Sequence, residues 1–365
     1  MNFKSKPCPR IAIAGGGITG LACAKALLRR GADVTVFESG IAGRGALRAS
    51  GGMLAGGFEC AEGSASPAFA ELARQGMALW ADWAADLGVT RIGYRVGGIV
   101  SPARDSAGLE WLDGMAERAD KLDIPYKRAS RMPDGICARS AIEFPEDGEL
   151  DNRLLGPRLV AFVREAGGQI HEHKAVTHLS PEGYGIRVET VADRSVFDAV
   201  ILAAGADGQA LNDIEPALKA IRPVKGQMLS LQGEKGSLAF CLRARNAYVS
   251  QKPDGRFVIG ASSEPGKSDT DVDEAAIAML RNNAEEWLPA LEGLPLSESW
   301  AGVRPGTLDG LPILGSGALP GIFLALGLYR NGVLLAPAIG ELIADTIFSG
   351  KPSPQEFRAA RFSPR

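Results

Sequence analysis

The stretch that decides the fold is Ile11–Glu38, IAIAGGGITGLACAKALLRRGADVTVFE. Ile11–Ala14 is a short apolar run of the kind that forms a buried strand, Ile18–Arg30 has helical spacing ended by Gly31, and Val34–Glu38 reads as a second strand. Between the first strand and the helix, Gly15-Gly16-Gly17-Ile18-Thr19-Gly20 fits G-x-G-x-x-G, and an acid, Glu38, follows Gly20 by 18 residues. Each part has a physical task. Gly15 permits the tight turn, Gly17 lets the backbone approach a pyrophosphate, and Gly20 lets helix and strand pack closely. The helix N-terminus offers unpaired N–H groups and the positive end of its dipole to phosphates. Glu38 can accept hydrogen bonds from ribose hydroxyls, and its charge disfavours a 2′-phosphate, so NADP is not the expected nucleotide.

The rest of the chain limits the chemistry around this unit. With 365 residues, 45% hydrophobic and 23% charged, it has the composition of a globular protein and room for two domains. Glycine is abundant, at 46 residues, whereas histidine occurs only three times, as His171, His173 and His178. Read as one strand, Ile170–Val176 puts His171 and His173 on a shared face, but no H-E-x-x-H or Cys-x-x-Cys accompanies them. A structural or surface role is expected for them, with no metal site, and histidine-based nucleophile systems are poor readings. The five cysteines are scattered without framework spacing, which suits reduced thiols in a cytoplasmic protein. A net charge of −3 gives no reason to expect a nucleic-acid partner. No uncharged apolar run reaches the roughly 18–20 residues of a membrane span, so no stable membrane insertion is expected. Lys4, Lys6 and Arg10 ahead of Ile11–Ala24 imitate a secretory leader ending Ala22-Cys23-Ala24, but the glycines break its apolar segment and the nucleotide turn accounts for them better.

Along the chain, helical patterns at 66–90, Ser106–Leu122 and Leu155–Ala166 alternate with short strands, and Ala199–Ala203 is a continuous apolar run typical of a buried parallel strand. From about 220 to 300 the pattern turns to strands, with one charged helix, Asp273–Trp287. The end returns to strand, Ile322–Ala325, glycine turn, and helix, Val333–Phe348. This predicts an α/β, Rossmann-like, discontinuous nucleotide domain from residues 1–90, 151–219 and 300–365, of the glutathione-reductase type, with a second, mostly antiparallel α+β domain from 91–150 and 220–299.

Three later segments choose between FAD and NAD. In GRGALRASGGMLAGG, residues 43–57, Arg44 and Arg48 can reach phosphates, while Ala49, Ser50, Gly51 and Gly52 leave room for a flat ring; the loop from Gly40 is too long for a routine connection. In VILAAGADG, residues 200–208, a buried strand ends in small residues, including Ala204 and Gly205. In GLYRNGVLLAPAIGELIAD, residues 327–345, a glycine turn opens a helix whose N-terminus can stabilise negative charge developing on a flavin. Together with WAGVRPGTLDGLPILG, residues 300–315, these segments resemble the D-amino acid oxidase superfamily of flavoproteins, in particular the glycine oxidase branch associated with thiamine biosynthesis. The matching segments run from residue 11 to about 345, and RPGT-x-DG-x-P followed by RNG-x-LLAPA-x-G is far more specific than the glycine turn.

The resemblance implies noncovalent FAD and oxidation of an amine alpha to a carboxylate, by direct hydride transfer from the substrate α-carbon to flavin N5, with no side-chain acid or base required. The imine hydrolyses to oxo acid and ammonia or amine, and O2 takes the electrons to give H2O2. By motif position, Arg304 holds the substrate carboxylate, Arg330 is a second substrate contact, and the Tyr248 hydroxyl orients the carboxylate. The bland readings are a structural ion pair of Arg304 with Asp309, a domain-interface salt bridge for Arg330, and strand packing for Tyr248. The implied cofactor contacts are Ile18 and Thr19, Glu38 with Ser39, Ala46, Leu47, Gly51, Gly52 and Met53, Val176, and the turn Leu328, Tyr329, Arg330, Asn331, Gly332, Val333 and Leu334.

The chain departs from the branch at Ala49-Ser50-Gly51-Gly52-Met53, where relatives often carry A-A-A-G-M, and at Ser262 and Ser263, where relatives carry a bulky apolar residue. A smaller, more polar wall there is expected to admit an N-substituted or larger amino acid. The implied partners are therefore a small amino-acid substrate and O2, and self-association into a homo-oligomer is compatible with the sequence. The rival readings are a D-amino acid dehydrogenase passing electrons to quinone and an FAD-dependent enzyme modifying carboxymethylaminomethyl groups on transfer RNA.

Overall fold

The structure, a computed structural model, describes residues 8–63, 65–129, 132–133 and 135–362; Lys4 and Lys6 lie outside them. The chain divides into two compact units, one formed by Met1–Arg48, Arg153–Val224 and Val303–Arg365, the other by Ala49–Asn152 and Lys225–Gly302.

The first unit is built on β1 (Arg10–Ala14), α1 (Ile18–Arg29), β2 (Asp33–Phe37), α2 (Asn152–Glu165), β3 (Gln169–His171), β4 (Ala199–Leu202), β5 (Ile313–Ser316), β6 (Ile322–Leu326) and α3 (Gly332–Ser349). Six strands form one sheet in the order β5-β6-β4-β1-β2-β3. All neighbours pair in parallel except β5, which runs antiparallel to β6. The apolar runs explain the parallel pairing, since strands covered on both faces read as continuous hydrophobic stretches. On one face, Ala12, Phe37, Val200, Leu202 and Leu324 join a core with Leu179, Ile186, Val188 and Phe197 of a small antiparallel sheet, Val176–Glu182, Gly185–Thr190 and Arg194–Phe197. On the other, α1 and α3 meet so closely that a Cβ at Gly340 would lie 2.6 Å from the Ala22 carbonyl oxygen. By length and hydropathy α3 passes for a membrane span, but 67% of that span is buried inside the protein. Its acids Glu341 and Asp345 are held by Arg30 at 2.6 and 2.7 Å.

The expected strand Ile170–Val176 is broken. β3 ends at His171, His173 takes φ 55°, and a different sheet begins at Val176. The cause is the competing backbone of the neighbouring turn, since the N–H groups of His173 and Lys174 donate to the Gly40 and Glu38 carbonyls. His171 and His173 therefore do not share a strand face. His171 instead lies against Phe37, ring centroids 5.5 Å apart.

The second unit is a mixed, mostly antiparallel sheet, in which strands such as Ile221–Gln232, paired over Met228–Gln232, and Arg256–Gly260, Tyr248–Gln251 and Cys241–Arg243 lie side by side. Their residues alternate between two cores. Leu229, Leu231, Leu242, Val249, Phe257 and Ile259 face a cluster with Ile277, Leu280 and Trp287 of the helix Glu274–Trp287. Met228, Cys241, Tyr248 and Val258 face the opposite cluster, with Phe58 and Ala61 of the helix Gly56–Glu62 and Leu112 and Met115 of the helix Ser106–Lys121. This packing puts residues 49–90, which the sequence pattern assigned to the nucleotide domain, in the contact unit of the strand-rich region. The other boundaries between the contact units fall at 152, 224 and 302, against the expected 150, 219 and 299.

Candidate active site

In the first unit, the residues expected to hold a nucleotide gather where the parallel strands end at their carboxyl termini. Gly15–Gly17 follow β1, Glu38 follows β2, Ala203–Gly205 follow β4, and Gly327–Gly332 follow β6. Ligands of open α/β sheets bind at this edge. Gly15 has φ 115°, and a Cβ there would lie 2.3 Å from the Ala203 carbonyl oxygen, so only glycine allows the turn to pass beside β4. Gly20 is equally constrained, because its Cβ would fall 1.9 Å from the Gly15 carbonyl oxygen. Gly17 differs, since a Cβ there would meet nothing within 4 Å. The tight glycines shape the turn, and the open one leaves space over the helix N-terminus.

That space suits a phosphate. Helix α1 has no acid in its first turn and no side-chain cap at Gly17, so its leading N–H groups and dipole are open to an anion. Helix α3 likewise lacks a first-turn acid and a side-chain cap at Asn331. A Cβ at Gly332 would lie 3.4 Å from Ile18 Cγ2, so the two helix starts are neighbours. Glu38 accepts from the Gly16 and Gly40 N–H groups, each at 2.7 Å, and from the Ser39 hydroxyl at 3.1 Å. These bonds fix its carboxylate beside the turn, with lone pairs to spare for hydroxyl donors. The segment leading to Val176 runs along the same edge through the Lys174 bond to the Glu38 carbonyl. These features fit a dinucleotide-type cofactor.

The glycine-rich loop is pinned at both ends. Gly43 donates to the Gly16 carbonyl at 2.8 Å, and Ala42 N–H to Glu172 at 2.9 Å. Within it, the sequence missed a short helix, Gly45–Ala49, that buries Leu47 and exposes Ala46 and Arg48; Arg44, just before it, is also exposed. In the second unit, the Gly51 carbonyl accepts from the Tyr248 hydroxyl at 2.7 Å and from Lys252 Nζ at 2.8 Å. Gly52, at φ 73°, accepts from Leu150 N–H at 2.9 Å, and Met53 pairs with Glu149. The Trp300 indole donates to the Ala49 carbonyl at 3.0 Å. The Gly51–Met53 segment is thus clamped by backbone and side chains together.

Lys252 and Glu149 are the residues sequence reading overlooked. Lys252 is 2% exposed, and its ammonium donates to Gly51 and Leu150 carbonyls and to Glu149 at 3.0 Å. Glu149 is also held by Arg95, at 2.8 Å from Nε, and by Ser250. The only sequence signal was a lysine directly after the strand Tyr248–Gln251, which is buried although it carries Ser250 and Gln251. Tyr248 itself is buried, and burial above all holds its phenol protonated, well above the usual range. Ser262 does not form a free polar wall. Its hydroxyl accepts from Gln227 N–H and donates to Glu264, both at 2.9 Å.

The two arginine-bearing segments come together in the first unit. Tyr329 N–H donates to the Pro305 carbonyl at 2.9 Å, fastening the Arg304 strand to the turn that carries Arg330. Tyr329 adopts φ 48°, and Asn331 N–H closes the turn onto the Leu328 carbonyl at 2.9 Å. Arg304 is half-buried and Arg330 exposed. Asp309, the alternative partner for Arg304, is instead bound by Arg361 at 2.6 and 3.1 Å. Among the described residues, no group of three or more His, Cys, Asp or Glu side chains is arranged to hold a metal.

Comparison with known proteins agrees with this geometry. The chain matches the FAD dependent oxidoreductase family, DAO, over residues 10–346. It is 31% identical over 357 residues to a glycine oxidase of Geobacillus kaustophilus, covering 92% of each chain. It is 32% identical over 359 residues to the bifunctional protein ThiO/ThiG of Nostoc sp., covering 94% of this chain and 53% of that one. The crystal structure of glycine oxidase from Geobacillus kaustophilus superposes with a TM-score of 0.89 at 29% identity, over 98% of this chain and 100% of that one. Carboxyl-edge glycine turns, acid-free helix starts and a family match spanning the fold lead to one conclusion: the chain belongs to the FAD-dependent oxidoreductase (DAO) family, and FAD is its cofactor.

Proposed function

We propose that this enzyme oxidises a small amino acid, glycine or an N-substituted relative, at the carbon bearing its amine. The bound FAD supplies at N5 the two-electron acceptor for the hydride leaving the α-carbon, with O2 as final acceptor and H2O2 as product. Water then splits the resulting imine into oxo acid and ammonia or amine. Substrate, O2 and water together balance oxo acid, amine and peroxide.

The chain's own work is positional. Arg304 holds the substrate carboxylate through the forked geometry that matches a carboxylate's two oxygens. Arg330 makes a second contact, and Tyr248, kept protonated by burial, is a hydrogen-bond donor for the carboxylate once its bond to Gly51 is exchanged. The acid-free N-terminus of α3 favours negative charge beside it. The observation that carries this reading is the bond from Tyr329 N–H to the Pro305 carbonyl, which joins both arginine-bearing segments next to a helix start. Similarity to glycine oxidases over most of the chain supports it.

The test is an anaerobic screen of the FAD-loaded protein against glycine, sarcosine and D-alanine, followed by absorbance. Loss of flavin absorbance with at least one of them, and stoichiometric H2O2 once air is admitted, is the expected outcome. An unbleached flavin across the panel would defeat the proposal, and bleaching without peroxide in air would move the acceptor to a quinone.

A further inference from the structure

Arg243 is bonded less well than the other partly buried cations of its unit; Arg104 shares an unpartnered Nε and an aromatic face, that of Trp287, but donates through Nη2 to the Glu286 carbonyl. Lys252 places its ammonium on three acceptors, and Arg95 and Arg256 are bonded to buried carboxylates. The Arg243 side chain is only 15% exposed, yet its Nε is buried without a hydrogen-bond partner. Among the described residues its counter-charge is Glu62, which stands 3.9 Å from Nη2, beyond hydrogen-bonding distance. The guanidinium lies over the Phe58 ring, 5.0 Å from the centroid, a contact that attracts a cation but satisfies no directed N–H donor. Burying a charge this way is costly unless an acceptor arrives to take the donors.

Its position gives that acceptor a context. Arg243 is directly paired with Tyr248 across antiparallel strands, so both side chains leave the same face of the sheet. Cys241, two residues earlier, and Tyr248 belong to one core cluster, whereas Leu242 and Val249 belong to the opposite one. The tyrosine assigned above to the substrate carboxylate therefore has an under-bonded guanidinium as its cross-strand neighbour. A planar fork of five donors is matched by a carboxylate more closely than by any other small group.

We propose that Arg243 receives a second acidic group of the substrate, so that the preferred substrate class is an amino acid with two carboxylates. The inference rests on the amino-acid oxidation proposed above and adds its specificity. The second carboxylate can come from an N-carboxymethyl group or from a side chain, and both present the same chemistry to Arg243.

The experiment compares kcat/KM of the FAD-loaded enzyme for glycine and sarcosine with that for N-carboxymethylglycine, D-aspartate and D-glutamate. The dicarboxylates are expected to be preferred by roughly tenfold or more, and Arg243→Met, which keeps an apolar stem over Phe58, to lose most of that ratio. N-carboxymethylglycine alone being preferred assigns the second carboxylate to the nitrogen substituent, and the D-acids alone being preferred assigns it to the side chain. Turnover of glycine or sarcosine with no dicarboxylate preference overturns this inference and leaves amino-acid oxidation standing. A loss in Arg243→Met that strikes monoacids and diacids equally also overturns it. Failure of every amino acid to bleach the flavin overturns both. Where the variant does not fold, perturbation of the wild-type flavin spectrum by malonate and by acetate decides, with tighter malonate binding expected and equal binding contrary.

Discussion

The two units prepare their residues for chemistry in opposite ways. The first works with backbone: glycine turns at the carboxyl ends of β1 and β6, and helix starts without acids or side-chain caps. The second works with side chains drawn from distant parts of the chain, as where Gly51, Glu149, Tyr248 and Lys252 meet. Backbone recognition tolerates few residue types at fixed spacing, whereas a side-chain network needs only complementary groups at its closing points. Substitutions should therefore fail differently in the two units.

The largest effect is expected at Gly20. A side chain there collides with the Gly15 carbonyl, so Gly20→Val should yield no soluble flavin-loaded protein, read as the ratio of flavin to protein absorbance after purification. Next is the buried pair of the second unit. Lys252→Ala removes one of the two cations on Glu149 and unbonds the Gly51 and Leu150 carbonyls, and should cost up to about 3 kcal/mol in denaturant unfolding, less than the loss of a whole buried ion pair because Arg95 keeps its bond to Glu149. A smaller and more selective effect belongs to Gly17. Because a Cβ there meets no protein atom, Gly17→Ala should leave apoprotein melting within about 2 °C of wild type while weakening FAD affinity roughly tenfold or more. A melting point that falls as far as that of Lys252→Ala would erase the distinction between the open and the tight glycines.

The last expected effect is a pH dependence, spread over several pH units. Asp147 accepts from Gly57 and Phe58 N–H groups at the start of the helix Gly56–Glu62, at 2.7 and 2.9 Å. Burial outweighs those bonds and pushes its carboxyl up to about 7 from 3.8. The folded state therefore holds a proton that the unfolded state has released, and this contribution, full below about pH 4, is lost as pH rises through 7. Thermal melts from pH 5 to 8 should fall more steeply for wild type than for Asp147→Asn, and parallel curves would exclude the group.

How much was legible follows the same division. Ile11–Glu38 could be read because Gly15 and Gly20 have no substitutes where backbone passes at 2.3 and 1.9 Å from their missing Cβ atoms. The β–α–β unit, the buried strand at Ala199 and the terminal helix were all visible as apolar runs next to glycine turns. The Ile170–Val176 strand was misread because alternation cannot reveal that Gly40 and Glu38 carbonyls capture the His173 and Lys174 N–H groups. Residues 49–90 group by contact with the strand-rich unit, where Phe58 and Ala61 of the helix Gly56–Glu62 join its core, a partnership that their nucleotide-like glycines do not announce. Arg243 left no pattern and Lys252 only its place after a strand, as their significance lies in what distant parts of the chain bring to them, Tyr248 across the strand for one and Gly51, Glu149 and Leu150 for the other.

On the function proposed above, the backbone of the first unit holds the cofactor while Arg304 holds the substrate carboxylate. The most direct test of that division is the steady-state KM of flavin-loaded Arg304→Ala for the best amino-acid substrate. Loss of a charge-assisted, forked bond predicts a rise on the order of 100-fold in KM with flavin still bound. An unchanged KM in a fully loaded variant would contradict the account.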